Sequence, residues 1–507
     1  MEAIFASLMP VYSQPIYFTS GAFLVFLLVF LVFHAFAARD SRLRVWVILL
    51  FSLTFYLAGA GTNLWVILFT SLVTYLTARS FHPEKQSFIN RISIAAGITV
   101  NLGLLIFFKY TDVFQRMMNS IRTGDQLVDS LIFPMGLSFF TFTNIAYLID
   151  VKKGIVTAER SLLHFLAFPS FFPVVQMGPI ERAARFFPSL KSKPVLTRED
   201  INEGTLLIIN GIIKKMVIGD TISHQLVSGI LSAPERHTGI ENLAALLGYS
   251  LVIYCDFSGY TDMGRGMARW MGFRLTLNFN LPYKARNIGE FWKRWHISLS
   301  TWLRDYLFMP IALKLSGMMK KETLFNLPWL KSDQVIFWIA SLITFTLCGL
   351  WHGAGINFLI WGLMHGVALS VQKTWSIQAK ERKRRRGPKR RKVFQVLGIA
   401  STFFFVTLGW VFFKTATPAQ AFNVISQIFT DFHGEALPAL LSAYAVPLLL
   451  MTAGYIWHFL PDRYGDILRL KYGGFPLPLK VAVVAIVISL VWLSQQQGSA
   501  RPIYIQF

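Results

Sequence analysis

Charge is scarce in this chain: 15% of its residues are charged, and the acidic side is thin, with 26 Asp and Glu against 49 Lys and Arg. So little charge over 507 residues, 54% of them hydrophobic, excludes an ordinary water-soluble globule. Cysteine is nearly missing as well. Cys255 and Cys348 lie in or beside apolar segments and form no ligand-spaced cluster, so neither a disulfide framework nor a metal site is expected. Paired carboxylates of the glycosidase kind and a phosphate-cradling Gly-rich loop after a strand are also wanting. Gly264 and Gly266 in MGRGMARWMG follow no strand and do not make a dinucleotide fingerprint. There is no internal repeat, and no matched pair of interrupted helices marks the inverted halves of a transporter.

What the chain has in quantity is apolar runs. Leu24 to Phe33, Leu104 to Phe108, Leu448 to Leu450 and Val481 to Leu493 sit in windows near the roughly 20 residues that a spanning helix needs. Spans are expected near 17–38, 43–60, 62–78, 92–109, 240–255, 334–350, 355–378, 393–413, 439–460 and 477–494. The first apolar run, Phe23 to Ala38, is followed by RDSRLR rather than a small-residue cleavage site, so it is expected to persist as a helix. The chain thus reads as an all-α polytopic integral membrane protein of roughly 10–13 spanning helices, with broken, re-entrant or interfacial helices among them. It is expected to form a single membrane-embedded domain, 1–507, with N-terminal helices over 17–109, a core over about 130–380 and C-terminal helices over 393–494.

The net charge of +23 collects mostly between apolar blocks, the distribution that holds positive loops on the cytoplasmic side. Lys380 to Lys392 carries ten Lys or Arg against one Glu. Without interleaved aromatics it offers no base-stacking platform, so it reads as a cytoplasmic topogenic loop that can touch anionic lipid, and no nucleic acid is expected as a partner.

Several stretches break the hydropathy pattern. Pro134 and Gly136 interrupt one, and LLHFLAFPSFFPVVQMGPI has prolines at 169, 173 and 179. Broken backbone at membrane depth must be shielded by protein or face a watery cavity, which predicts a short or re-entrant element. Glu203 to Leu231, with Lys214, Lys215 and Asp220, suits a slanted or interfacial helix. The next span should end at Asp256-Phe-Ser-Gly-Tyr260, where Gly259 permits a turn. From Asn278 to Ala312, three tryptophans mix with Arg, Lys, Glu, Asp and His, too polar to cross lipid alone. A helix from about Ile288 would put His296, Ser300 and Leu303 on one face and Ser298, Trp302 and Asp305 on its neighbour, lying in a groove or at the boundary.

One ionisable group stands between two long apolar arms: His352, in Gly349-Leu-Trp-His-Gly-Ala-Gly355. If the lysines at 320, 321 and 331 and the 380–392 loop are cytoplasmic, the arms form a hairpin pointing away from the cytoplasm with His352 at its tip. The second arm, Gly355 to Gln378, is roughly 36 Å long as a straight helix. A neutral imidazole accepts and donates protons near neutral pH, so His352 is a candidate acid or base. The competing reading is a packing histidine bonded to a backbone carbonyl. His365, further down the second arm, reads as structural.

The order of these blocks resembles the membrane-bound O-acyltransferase (MBOAT) family, and within it the bacterial alginate or polysaccharide O-acetylation branch. The resemblance rests on PMGLSFFTFTNIAYLIDV (134–151), MGPIERAARFFPSL (177–190), DFSGYTDMGRGMARWMGF (256–273), LPYKARNIGEFWKRWHISLSTWLRDYLFMPIA (281–312) and GLWHGAGINFLIWGLMHG (349–366), together with the terminal PIYIQF. It implies acyl transfer to a hydroxyl, with His352 as general base and His296 as the second active-site histidine, orienting the acceptor or donating to the developing oxyanion. Trp295, Arg304, Asp305 and Asn357 follow as supporting or tunnel residues, Arg304 and Asp305 by bracing the block through charge-assisted hydrogen bonds. Further implications are a central tunnel, acetyl-CoA as donor with no bound cofactor, a polysaccharide acceptor reached through a periplasmic or extracellular acetyltransferase partner, and location in a bacterial inner membrane among lipid. D-alanyl transfer to teichoic acid and lysophospholipid acylation are the rivals within enzymes. A proton-coupled transporter or a secretion scaffold are the rivals outside them. The chain departs from the branch at Ile311-Ala312-Leu313-Lys314, where a Gly-Gly-Asn-Arg-like turn is usual, and at Gly355-Ile356-Asn357, where Asn-Trp often follows.

Overall fold

The structure, a computed structural model, describes residues 16–82, 88–121, 134–318, 332–378 and 388–495, and all regular structure among them is helical. The first helices, α1 (Gly21–Ala37), α2 (Ser41–Ala60) and α3 (Leu64–Ser80), fall where hydropathy puts them. In α1 the buried Phe23, Leu27, Phe30, His34 and Ala37 recur at helical spacing, while Leu24, Val25, Leu28, Val32 and Phe36 are exposed. A helix that stays apolar on its open face is built for lipid rather than water. Between α1 and α2, the Asp40 carboxylate accepts the amides of Arg42 and Leu43, so the short polar break caps the next helix.

Next come α4 (Phe88–Ile121) and α5 (Leu137–Lys152), packed with α3. Asn101 of α4 donates to Thr74 Oγ1 of α3 at 3.0 Å and accepts from Asn144 of α5 at 3.1 Å, a polar tie among otherwise apolar helices. The proline-rich stretch after them makes only short helices, Leu162–Ala167 and Phe172–Val175, and residues 167–180 are buried throughout. Broken backbone is therefore shielded by protein, as its chemistry demands.

Helix α6 (Arg198–Ile212) runs on into π-helical turns over Ile213–Asp220 and lies along α7 (Gly239–Trp270). The expected turn at Gly259 does not occur, because α7 continues unbroken to Trp270. Gly259 serves close approach instead. A Cβ on it would stand 2.7 Å from the Gly211 carbonyl oxygen of α6, and one on Gly211 would stand 2.5 Å from the Gly259 oxygen. Small residues let two backbones touch, the usual means by which membrane helices gain packing. In the π-helical turns, Lys215 is buried with its Nζ 2.7 Å from Asp220 and 2.5 Å from Asp256, so these charges meet one another rather than lipid.

The Trp-rich block departs from the expected continuous helix. It forms α8 (Ile288–Trp292), a tight turn, and α9 (Ile297–Leu303), with His296 between them at φ +42°. Its tryptophans 292, 295 and 302 are 6%, 1% and 4% exposed, so it sits inside the protein rather than along the membrane boundary. The arms of the hairpin follow as α10 (Ser332–His352) and α11 (Ile356–Gln378), then α12 (Pro388–Lys414) and the C-terminal helices Ala445–Phe459 and Leu477–Gln495. By length and composition five described helices can cross a membrane, or six if the bent pair Gly434–Ala443 and Ala445–Phe459 counts as one span. The hydropathy pattern predicts roughly 10–13 spanning helices; Gly21–Ala37, Leu64–Ser80 and Leu477–Leu493, among the described residues, are apolar but shorter than the helices counted as spans. The 380–386 part of the basic loop, the lysines at 320, 321 and 331 and the terminal PIYIQF lie outside the described residues.

Candidate active site

The hairpin is closed by glycine. A Cβ on Gly349 would come 2.2 Å from the Phe358 carbonyl oxygen, and one on Gly362 would come 2.3 Å from that of Phe345, so α10 and α11 can meet only without side chains there. Three residues, 353–355, turn the chain, and Ala354, Gly355 and Ile356 are exposed at the tip. His352 ends α10 just inside that tip and is 2% exposed. Aromatic rings wall its imidazole: Trp351 at 4.5 Å between centroids, Trp361 at 5.0 Å and Phe413 at 5.0 Å, the last two nearly perpendicular to it.

His296 reaches the same cluster from the other side, with its ring 6.4 Å from that of Trp351. Phe257 at 4.6 Å, Phe139 at 6.3 Å and Phe279 at 6.4 Å lie around it as well. Its protonation pattern follows from Asn278. The Asn278 side-chain oxygen accepts the backbone N–H of Ser298 at 3.2 Å, which fixes which end of the amide is oxygen. The same oxygen lies 3.1 Å from His296 Nδ1 and accepts the Ser298 hydroxyl at 2.9 Å. A neutral His296 must therefore carry its hydrogen on Nδ1 and keep its lone pair on Nε2. In that form Nε2 accepts a hydrogen bond and has none to give.

Ser298 is held in turn by the Ile180 amide, which donates to its Oγ at 3.0 Å, and so the MGPI turn supports the histidine block. Trp302 donates to the Phe142 carbonyl at 2.9 Å, and the Phe142 ring stacks on both Trp302 and Trp351. Five segments far apart in sequence thus converge: residues around 139–142, 180, 278, 296–302 and 351–352.

The other residues singled out from sequence are distributed unevenly. Trp295 is buried against Trp410 and Phe291 and stands behind the histidines as a wall. Asn357 donates to the Thr415 carbonyl at 2.6 Å and ties the start of α11 to the end of α12. Arg304 and Asp305 bond each other at 2.8 Å with side chains 61% and 40% exposed, away from the buried imidazoles. His365 is fully buried and accepts the Trp292 indole N–H at 3.3 Å, joining α11 to α8. Asn278, which bonds His296 and Ser298, and Trp361, which packs on His352, line the candidate site and are not singled out by the sequence, which places Ser298 only on a helix face. Among the described residues, no group of three or more His, Cys, Asp or Glu is arranged to hold a metal ion.

A helical membrane protein that buries one imidazole at the tip of an inter-helix hairpin and brings a second, from a turn between two short helices, against the same tryptophan has the parts for proton transfer to and from a reacting hydroxyl. A model of the membrane-bound O-acyltransferase family matches residues 156–326, a range that includes His296. Over 422 residues the chain is 33% identical to the peptidoglycan O-acetyltransferase of Helicobacter pylori, covering 78% of this chain and 75% of that protein. It is likewise 33% identical over 338 residues to the probable alginate O-acetylase of Pseudomonas syringae pv. tomato, covering 66% and 60%. Similarity to the teichoic acid D-alanyltransferase of Bacillus subtilis is 31% over 289 residues, covering 56% and 69%. The chain belongs to the membrane-bound O-acyltransferase family, which makes it a multi-pass membrane protein and places it among acyltransferases. It spans about 60% of the length of the Pseudomonas syringae relative.

Proposed function

We propose that this protein takes acetyl from cytoplasmic acetyl-CoA and passes it across a bacterial inner membrane toward hydroxyls of an extracytoplasmic polysaccharide, with a separate acetyltransferase outside completing the modification. The observation that carries the reading is the pair of buried imidazoles flanking Trp351, one just beneath an exposed hairpin tip. The names of the Helicobacter and Pseudomonas relatives supply the acetyl group and the polysaccharide.

The chemistry balances with these residues alone. As the acceptor oxygen attacks the thioester carbonyl, His352 takes the hydroxyl proton; when the C–S bond breaks, the imidazolium returns that proton to the departing thiolate. A positioned base of this kind is worth about 10²- to 10⁴-fold in rate. His296, with its lone pair on Nε2, orients the acceptor by accepting a hydrogen bond from a neighbouring hydroxyl of the same acceptor, which leaves the proton of the attacking hydroxyl to His352 and is a better match than donation to an oxyanion. Exclusion of water by the surrounding rings protects the thioester from hydrolysis.

Membranes containing wild-type or His352→Ala protein, given labelled acetyl-CoA and acceptor polysaccharide, test the reading. Wild type should label polysaccharide or a partner protein and the variant should not; a folded, inserted variant with full activity would overturn it. Label transferred only from a D-alanyl-charged carrier would move the donor to the teichoic-acid type. Label in lipid would indicate lysophospholipid acylation. Substrate flux driven by pH without an acylated product would indicate a transporter.

A further inference from the structure

We propose that Lys109 and Tyr110, on the far-removed helix α4, form a clamp on the end of α10 that sets the position of His352. This rests on the reading of His352 as the base. Helix α10 stops at His352; the first residue of the turn, Gly353, still donates its amide to the Gly349 carbonyl at 3.4 Å, and the carbonyls of the residues that follow Gly349 lie at the helix end. Two of those carbonyls are taken by α4. The Tyr110 hydroxyl donates to the Leu350 carbonyl at 2.7 Å, and the Lys109 ammonium donates to the carbonyl of Trp351. The same ammonium lies 5.5 Å from the centroid of the Trp351 ring, in cation–π range. Both residues adjoining His352 on its N-terminal side are therefore pinned through their main chain, and one of them through its ring as well.

The placement has an energetic reason. Lys109 lies near the end of the apolar span Ile92–Thr111, where Ile106 and Phe107 beside it face outward. A lysine at a span's end ordinarily snorkels to water. Here its head turns inward to a helix C-terminus, where backbone carbonyls and the helix dipole both favour a cation. A clamp at this point costs an ordered, half-buried ammonium and holds the last turn of α10 against fraying. Positional error at a general base is expensive: displacement by about 1 Å costs on the order of 10²-fold in rate. Lys109 and Tyr110 are positioning residues: their hydrogen bonds go to the carbonyls of Trp351 and Leu350, the two residues before His352.

The test uses full-length protein in native membranes, comparing wild type, Lys109→Ala, Lys109→Arg, Tyr110→Phe and His352→Ala. Lys109→Ala should lower kcat about 10- to 100-fold with KM for the acyl donor little changed, and Lys109→Arg, which keeps a cation able to reach the carbonyl, should restore most of it. Tyr110→Phe removes one oxygen from a half-buried site and should lower kcat several-fold at normal membrane abundance. If Lys109→Ala does not accumulate, Tyr110→Phe alone decides. Unchanged kcat in Tyr110→Phe and Lys109→Ala, or a loss that appears only in KM, or Lys109→Arg as poor as Lys109→Ala, would overturn the clamp. If the clamp variants are normal while His352→Ala is dead, the clamp fails and the acyl-transfer reading stands; if His352→Ala is active, that reading fails first.

Discussion

Replacing Asn278 with leucine removes one oxygen on which three donors converge: His296 Nδ1 at 3.1 Å, the Ser298 amide at 3.2 Å and the Ser298 hydroxyl at 2.9 Å. The three do not lose equally. The Ser298 hydroxyl can rotate, and His296 can move its hydrogen to the other nitrogen. The Ser298 amide is fixed by the backbone at the start of α9, and leaving a buried amide without an acceptor costs about 1–3 kcal/mol. That sets the expected loss of stability, visible as a lower melting temperature of the detergent-solubilised protein. Activity should fall further than stability explains. Without Asn278, nothing holds the hydrogen on Nδ1, so His296 spends part of its time with an N–H where a neighbouring hydroxyl of the acceptor needs a lone pair. A misoriented contact of this kind costs about 10- to 100-fold in kcat. Asn278→Asp keeps an acceptor at the same place and should preserve the fold better than leucine. An Asn278→Leu protein with wild-type melting and wild-type acyl transfer would refute the assignment of the His296 hydrogen and the role drawn from it.

Two further outcomes follow from the structure. Gly259→Ala places a methyl 2.7 Å from the Gly211 carbonyl oxygen and should destabilise the α6–α7 pair by about 1–3 kcal/mol, whereas Gly229→Ala, a helical position whose Cβ meets nothing within 4 Å, should leave thermal stability unchanged or slightly raised. His433 is held between Glu435 at 2.6 Å and Asp431 at 2.9 Å, and its hydrogen bonds to Glu435 first and Asp431 second raise its pKa above the ordinary 6.5. The raised value makes the stabilisation of this turn complete below pH 6.5 and lost as pH climbs through the folded-state pKa, so the protection factors of amides 431–436, exchange corrected for its intrinsic rate at each pH, should fall across that interval and show no such fall in His433→Ala.

Much of the architecture was legible because membrane insertion is governed by composition over about 20 residues, a property that a sequence displays directly. The boundaries of α1, α2, α3, α10 and α11 lie within a few residues of the apolar windows. The hairpin with His352 at its tip was legible too, since two apolar arms joined by Gly-Ala-Gly have little else to do. The Trp-rich block was harder. Periodicity from Ile288 suggested one helix, but nothing local announces that His296 adopts a left-handed conformation between two short ones. That conformation is imposed by contacts such as Ile297 N to the Asn278 carbonyl, which link residues nineteen apart. Gly259 misled for a related reason: glycine marks turns and close packing alike, and only the presence of Gly211 opposite decides between them. Lys109 carried a signal, as a lone cation in LLIFFKY, but one that an ordinary snorkelling lysine also gives.

By itself, then, the sequence determined the solvent, the helical class and the approximate spans, and it nominated two histidines as candidates, because hydropathy and motif order are written residue by residue. Tertiary structure decided what those histidines can do. Which nitrogen of His296 keeps its lone pair depends on Asn278, and what holds the last turn of α10 depends on α4, some 240 residues away. Such facts concern atoms that become neighbours only when distant helices pack, and no local pattern encodes which donor will meet which acceptor there.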